Sequence, residues 1–71
     1  MGADIRIKIN ENINIRKLLD ESSEIPIDCN IEGDEVHFHY GYWGQDHESK
    51  CENFVSKFVE DNNLEMGEWR Y

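Results

Sequence analysis

Apolar and polar residues alternate strictly along Glu35 to Trp43, EVHFHYGYW, with Val36, Phe38, Tyr40 and Tyr42 on one side and His37, His39, Gly41 and Trp43 on the other. A period of two is that of a strand with one buried face. The same alternation runs through Asp4 to Ile9, where Ile5, Ile7 and Ile9 oppose Arg6 and Lys8, and through Ile25 to Ile31, where Ile25, Ile27, Cys29 and Ile31 oppose Pro26, Asp28 and Asn30. Between the first two of these strands in chain order, Ile15, Leu18 and Leu19 have helical spacing, with Asn14 as the expected cap and Ile13 and Leu18 at the two positions of a hydrophobic staple. This helix is expected to end near Asp20 to Ser23. A longer helix is predicted after Gly44, capped by Asp46, with Glu48 in its first turn. Its stripe is Cys51, Phe54, Val55, Phe58 and Val59, and Asn62 and Asn63 close it after roughly 16 residues, about 24 Å.

Glu32-Gly33-Asp34-Glu35 reads as a two-residue hairpin turn, with Gly33 at the first central position of type II′. Register then follows by counting: paired residue numbers sum to 67, so Ile31 faces Val36, Cys29 faces Phe38, Ile27 faces Tyr40 and Ile25 faces Tyr42. On the opposite face Asn30 meets His37, Asp28 meets His39 and Pro26 meets Gly41. Every inward residue meets an inward residue. Pro26 cannot donate to a ladder, which places this strand at an edge.

The last segment, Leu64 to Tyr71, is expected to add a final strand. The fold class is then α+β, one domain over residues 1–71: a four-stranded, largely antiparallel sheet with two helices on one face, in the βαββαβ order of the ferredoxin-like plan. An antiparallel meander packed on one dominant helix is the alternative.

Charge bears most directly on function. Sixteen acids against 7 lysines and arginines give a formal net charge of −9, more than solubility needs in so small a domain. Such a chain repels nucleic acid and anionic membranes and attracts basic surfaces. A 71-residue domain leaves little interior for a deep pocket beside its core, which favours a surface function. No segment is apolar for long enough to span a membrane, and a cytoplasmic location is expected. Two cysteines, Cys29 and Cys51, are too few for a disulfide framework and are expected as buried free thiols.

The candidate chemistry is sparse. His37 and His39 point the same way from one strand and can share a metal ion, with Asp28 as a third ligand. His47 and Cys51 have i,i+4 spacing, but a thiol in an apolar stripe is a poor thiolate. Glu48 and Glu52 have the same spacing on the outward side of the helix, where nothing raises a carboxyl pKa. No catalytic motif and no cofactor motif is present, and the expectation is a non-enzyme without a cofactor.

Acids, in contrast, are arranged in lines. Glu48, Glu52 and Glu60 form an i, i+4, i+12 series, Asp46 and Asp61 stand at the helix ends, and Glu32 faces Glu35 across the hairpin turn. Neighbours in such a row stand about 6 Å apart, not far from the spacing of phosphates on one nucleic-acid strand. Like charges at these positions, and acids at a helix C-terminus, cost a few tenths of a kcal/mol each. Trp43, beside these acids, has the character of a protein-binding anchor. The expected function is docking, through Asp46, Glu48, Glu52, Glu60, Asp61, Trp43, Glu32 and Glu35, on a basic partner surface such as that of a nucleic-acid-binding protein, as a phosphate-backbone mimic or inhibitor. The alternative is a regulatory domain holding a metal ion or small ligand through His37, His39 and Asp28. A homodimer through a sheet edge is compatible with either.

Overall fold

A computed structural model describes residues 2–25, 27–41 and 44–71. Five elements follow in order: β1 (Ala3–Lys8), α1 (Ile15–Glu24), β2 (Asp28–Glu32), β3 (Glu35–Tyr40) and α2 (Gln45–Asp61). The three strands form one antiparallel sheet in the order β1-β3-β2.

The hairpin has the expected register. Asp28 pairs with His39, Cys29 with Phe38, Asn30 with His37, Ile31 with Val36 and Glu32 with Glu35. Gly33 has φ of 61°, while Asp34 is not in the left-handed region, the combination a II′ turn needs. The ladder begins only at Asp28, however, so the expected pair of Ile27 with Tyr40 is not formed. Ile25 is the C-cap of α1 and not the start of a strand, because α1 runs to Glu24, past its expected end. Ser22 and Ser23 do not break the helix; their hydroxyls donate one turn back to the carbonyls of Leu19 and Asp20, at 3.0 and 2.7 Å. Pro26, Tyr42 and Trp43 lie outside the described residues, and with them the expected pairs Pro26–Gly41 and Ile25–Tyr42.

Helix termini follow local chemistry. Asn14 caps α1, its side chain accepting from the Lys17 N–H at 3.1 Å. Asp46 is not the cap of α2: Gly44 takes that position without a side-chain bond, and Asp46 lies inside the first turn with Glu48. The other end closes as a Schellman motif. Asn63 adopts φ of 55°, its N–H reaches the Glu60 carbonyl at 3.3 Å, and the Leu64 N–H reaches that of Val59 at 2.9 Å.

The expected fourth strand is absent. Among the described residues the segment after α2 makes one isolated bridge, in which Asp4 and Arg70 exchange backbone bonds of 3.0 and 2.8 Å. The fold is therefore a three-stranded antiparallel sheet with two helices, β1 α1 β2 β3 α2, and not the four-stranded ferredoxin-like sheet. The reason lies in the phase of the pattern. Leu64 and Met66 set one alternation and Trp69 and Tyr71 the opposite one, with the slip at Gly67. Gly67 presses so close to β1 that a Cβ there would stand 2.6 Å from the Arg6 carbonyl oxygen. The meander is also excluded, since β3, the last strand in sequence, is central.

One core joins the sheet to both helices. Ala3, Ile5 and Ile7 of β1, Val36, Phe38 and Tyr40 of β3, Leu18 of α1 and Cys51, Val55 and Val59 of α2 are all buried, together with Ile27. Phe38 is at its centre, with Phe54 and Phe58 of α2 edge-on to it at centroid distances of 6.0 and 5.6 Å. The accessible surface is 5103 Å², somewhat above the roughly 4,600 Å² typical of this mass. Among the described residues no helix is long and apolar enough to cross a membrane.

Candidate functional site

The polar face of the sheet, opposite the core, reads as three rows fixed by the two registers: Asp4, His39 and Asp28; Arg6, His37 and Asn30; Lys8, Glu35 and Glu32. Charges on it are largely met within it. The Arg6 guanidinium reaches across β3 and donates to the Glu32 carboxylate. Through that bond and the attraction that accompanies it, the Glu32 carboxyl is held below its usual range and the Arg6 pKa is raised. The like-charge pair Glu32 and Glu35 is thus relieved by a cation from the far strand. Glu32 stabilises the folded state when ionised, so this contribution is whole above the ordinary carboxylate value of 4.5 and is lost as falling pH protonates Glu32 in the folded state. In an Arg6→Ala protein the Glu32 carboxyl is expected to titrate at higher pH in a carbon-detected NMR titration. An unchanged midpoint would show that Arg6 is not its partner in solution.

The two histidines diverge. Nδ1 of His39 lies 3.5 Å from Oδ2 of Asp28, the pairing expected from the register. His37 turns the other way: its Nε2 is 3.4 Å from Oδ2 of Asp4, shielded from solvent and without a hydrogen bond. Each imidazole is drawn to a carboxylate on a different flanking strand. The expected metal set of His37, His39 and Asp28 is not brought together, and among the described residues no three His, Cys, Asp or Glu side chains gather to hold a metal ion.

Cys51 and His47 do meet, with Sγ 3.5 Å from Nε2. The thiol is fully buried, and burial pushes its pKa up to about 11, with a smaller contribution from Glu52. It is not poised as a nucleophile at neutral pH. An open cleft of about 420 Å³ separates α1 from α2. Its floor is Leu18, Phe54 and Phe58, and its rim sets Lys17 and Lys57 against Glu21 and Asp61, with no excess charge of either sign to select an ion.

Uncompensated charge is concentrated on α2. The helix has five carboxylates, Asp46, Glu48, Glu52, Glu60 and Asp61, against Lys50 and Lys57. Among the described residues none of the five forms an ion pair. They are not one straight row, because each i,i+4 step turns about 40° around the axis and carries Glu60 well away from Glu48. Asp46, Glu60 and Asp61 are exposed, whereas Glu48 and Glu52 are half-buried on the side facing Tyr40 and the C-terminal segment.

Here the tail supplies what sequence reading missed. The Tyr71 hydroxyl donates to Oε1 of Glu52 at 3.5 Å, and Trp69 lies edge-on to Tyr40 at 5.6 Å. Burial first, then the charges of Glu48 and Glu52, push the Tyr40 hydroxyl up to about 12. Tyr71 is raised as well, by burial first, then by the charges of Glu52 and Glu48 and by its hydrogen bond to Glu52. Two phenols thus register the negative field of this carboxylate pair.

Helix dipoles add to the imbalance. The last turn of α2 has Glu60 and Asp61 and no basic residue; α1 begins with Arg16 and Lys17 and ends with Glu24, again without a base in its last turn. Both C-terminal ends carry the unfavourable sign. Trp43, expected as an aromatic anchor beside these acids, lies outside the described residues. Comparison of the chain with family models, with curated protein sequences and with solved structures returns no match.

Proposed function

We propose that the protein is a small acidic docking domain, without catalytic chemistry, that binds a basic surface of another protein in the cytoplasm. The observation that supports the reading best is the Glu48 and Glu52 pair: two half-buried carboxylates one helical turn apart, neither of them in an ion pair with a lysine or arginine among the described residues. Holding like charges together in partial burial is unfavourable for the isolated chain. A lysine or arginine from a partner would relieve that repulsion. Asp46 and Glu60 and Asp61 extend the negative surface along and around α2, and the net charge of −9 would steer a basic partner toward it from a distance.

A nucleic-acid-binding protein is the partner class that suits such a surface best, with α2 in the place of a phosphate backbone and the domain acting as an inhibitor. In contrast to α2, the open sheet face pairs Arg6 with Glu32 and sets a histidine beside Asp4 and another beside Asp28.

Immobilised wild-type protein is expected to retain a basic partner from cell extract at low salt and to release it as salt screens the contact. Replacing Glu48, Glu52 and Glu60 together by lysine is expected to reduce retention at least tenfold while the circular dichroism spectrum is kept. Equal, salt-independent retention by both proteins would refute the docking role of α2.

A further inference from the structure

We propose that the free edge of β2 takes up an extended, basic segment of a partner as an added antiparallel strand. The inference rests on the acidic-docking reading only in the sign of the partner's charge; the surface is a different one.

Three observations lead there. First, the sheet order leaves β2 with one neighbour. In a two-residue hairpin the closing pair, Glu32 and Glu35, exchanges both of its backbone bonds, and so by alternation do Asn30 with His37 and Asp28 with His39. The N–H and C=O groups of Cys29 and Ile31 therefore point away from the sheet. No other described residue bonds to them. The same alternation on β1 turns the Asp4 backbone outward, where Arg70 meets it, so the rule holds at the opposite edge. That edge is partly covered by the tail, whereas no described residue bonds to the β2 edge.

Second, both flanks of the edge are shaped for alternating side chains. On the polar face Asp28 and Glu32 keep side-chain exposures of 78% and 53%, although Glu32 meets Arg6 and Asp28 lies beside His39 on the side toward β3. On the helix side Cys29 and Ile31 are only half-buried, and α1, which packs against β2, exposes Ile15 and Leu19 one turn apart. These two lie on the flank of α1 away from Lys17 and Glu21, the residues that line the cleft toward α2. An added strand with lysine or arginine at alternate positions would set its charges beside Asp28 and Glu32 and its apolar residues beside Ile31 and Leu19.

Third, the charges argue against a second copy as the occupant. Antiparallel self-pairing about Asn30 would set Asp28 of each copy opposite Glu32 of the other, and each chain brings a net charge of −9. Like charges directly opposite are destabilising, and Asp28 and Glu32 guard the edge against its own kind.

The test uses the full chain and a capped synthetic peptide of alternating lysine and valine. Hydrogen exchange followed by NMR is expected to slow at least tenfold at the Cys29 and Ile31 amides on peptide addition, with the Val36 and Phe38 amides, which face β1, unchanged. A peptide of the same sequence with N-methylated backbone amides keeps the charge and cannot extend the ladder, and it should bind at least tenfold more weakly. Asp28→Lys with Glu32→Lys should lose the lysine peptide and accept a glutamate–valine peptide. Equal binding of the methylated peptide would overturn strand addition while leaving acidic docking in place. So would protection of the α2 amides in place of Cys29 and Ile31. No binding of the lysine peptide at low salt overturns the proposal, as does a peptide-free dimer that already protects the two amides; retention of a basic partner through α2 is measured separately and does not depend on either result.

Discussion

Phe38→Ala is expected to lower the stability of the domain by about 3–5 kcal/mol, the usual cost of deleting a buried aromatic ring. Phe38 has no exposed surface, pairs across the sheet with Ile5 on one side and Cys29 on the other, and receives the edges of Phe54 and Phe58 from α2. A chain of this size has a total stability of roughly 4–11 kcal/mol. The variant should therefore be largely unfolded near body temperature, with a lost or strongly shifted urea transition in circular dichroism. Phe54→Leu and Phe58→Leu, at half-buried positions with an apolar replacement, should retain a cooperative transition. A Phe38→Ala protein that loses less than about 1 kcal/mol would mean that α2 does not pack on this ring.

Alkaline pH is expected to produce the second large effect. Burial is the main cause that raises Cys29 and Cys51 from 9.0 to about 11 and Tyr40 from 10.0 to about 12. In the unfolded chain these groups lose their protons at the lower values. The stabilisation they reflect is whole below pH 9 and is lost as pH rises toward 11 for the thiols and 12 for the phenol. For Cys51, which is fully buried, the loss is about 3 kcal/mol; the half-buried Cys29 contributes less. Urea midpoints measured at intervals from pH 8 to about 11 should fall steadily in the wild type, and less steeply in Cys51→Ala. Parallel slopes in the two proteins would remove Cys51 as the source.

How far the sequence discloses this fold depends on the length of the loops. The β2–β3 register was readable because a two-residue turn and a period of two agree, and Asp28 meets His39 as that counting requires. The β1–β3 register was not, since α1 and β2 intervene and no turn fixes it; Asp4 as the neighbour of His37 and Arg6 as the partner of Glu32 follow only from that pairing. The final segment misled because Trp69 and Tyr71 alternate convincingly by themselves, while the phase slip at Gly67 prevents a continuous ladder with β1. In the candidate site, the five acids of α2 were legible as charge. Their environment was not: the partial burial of Glu48 and Glu52 depends on where Trp69 and Tyr71 come to rest, a long-range contact without a local signal.

The short bridge between Asp4 and Arg70 limits how large any assembly built on this sheet can become. Filaments of stacked strands need two accepting borders on every subunit, one to receive the previous molecule and one to offer to the next. Here the tail, running from Gly67 against the Arg6 carbonyl to Arg70 at Asp4, occupies part of one border. With that border partly occupied, strand addition is left mainly to the β2 side, and the segment works against repeated stacking. The Tyr71 contact with Glu52 ties the same segment to α2.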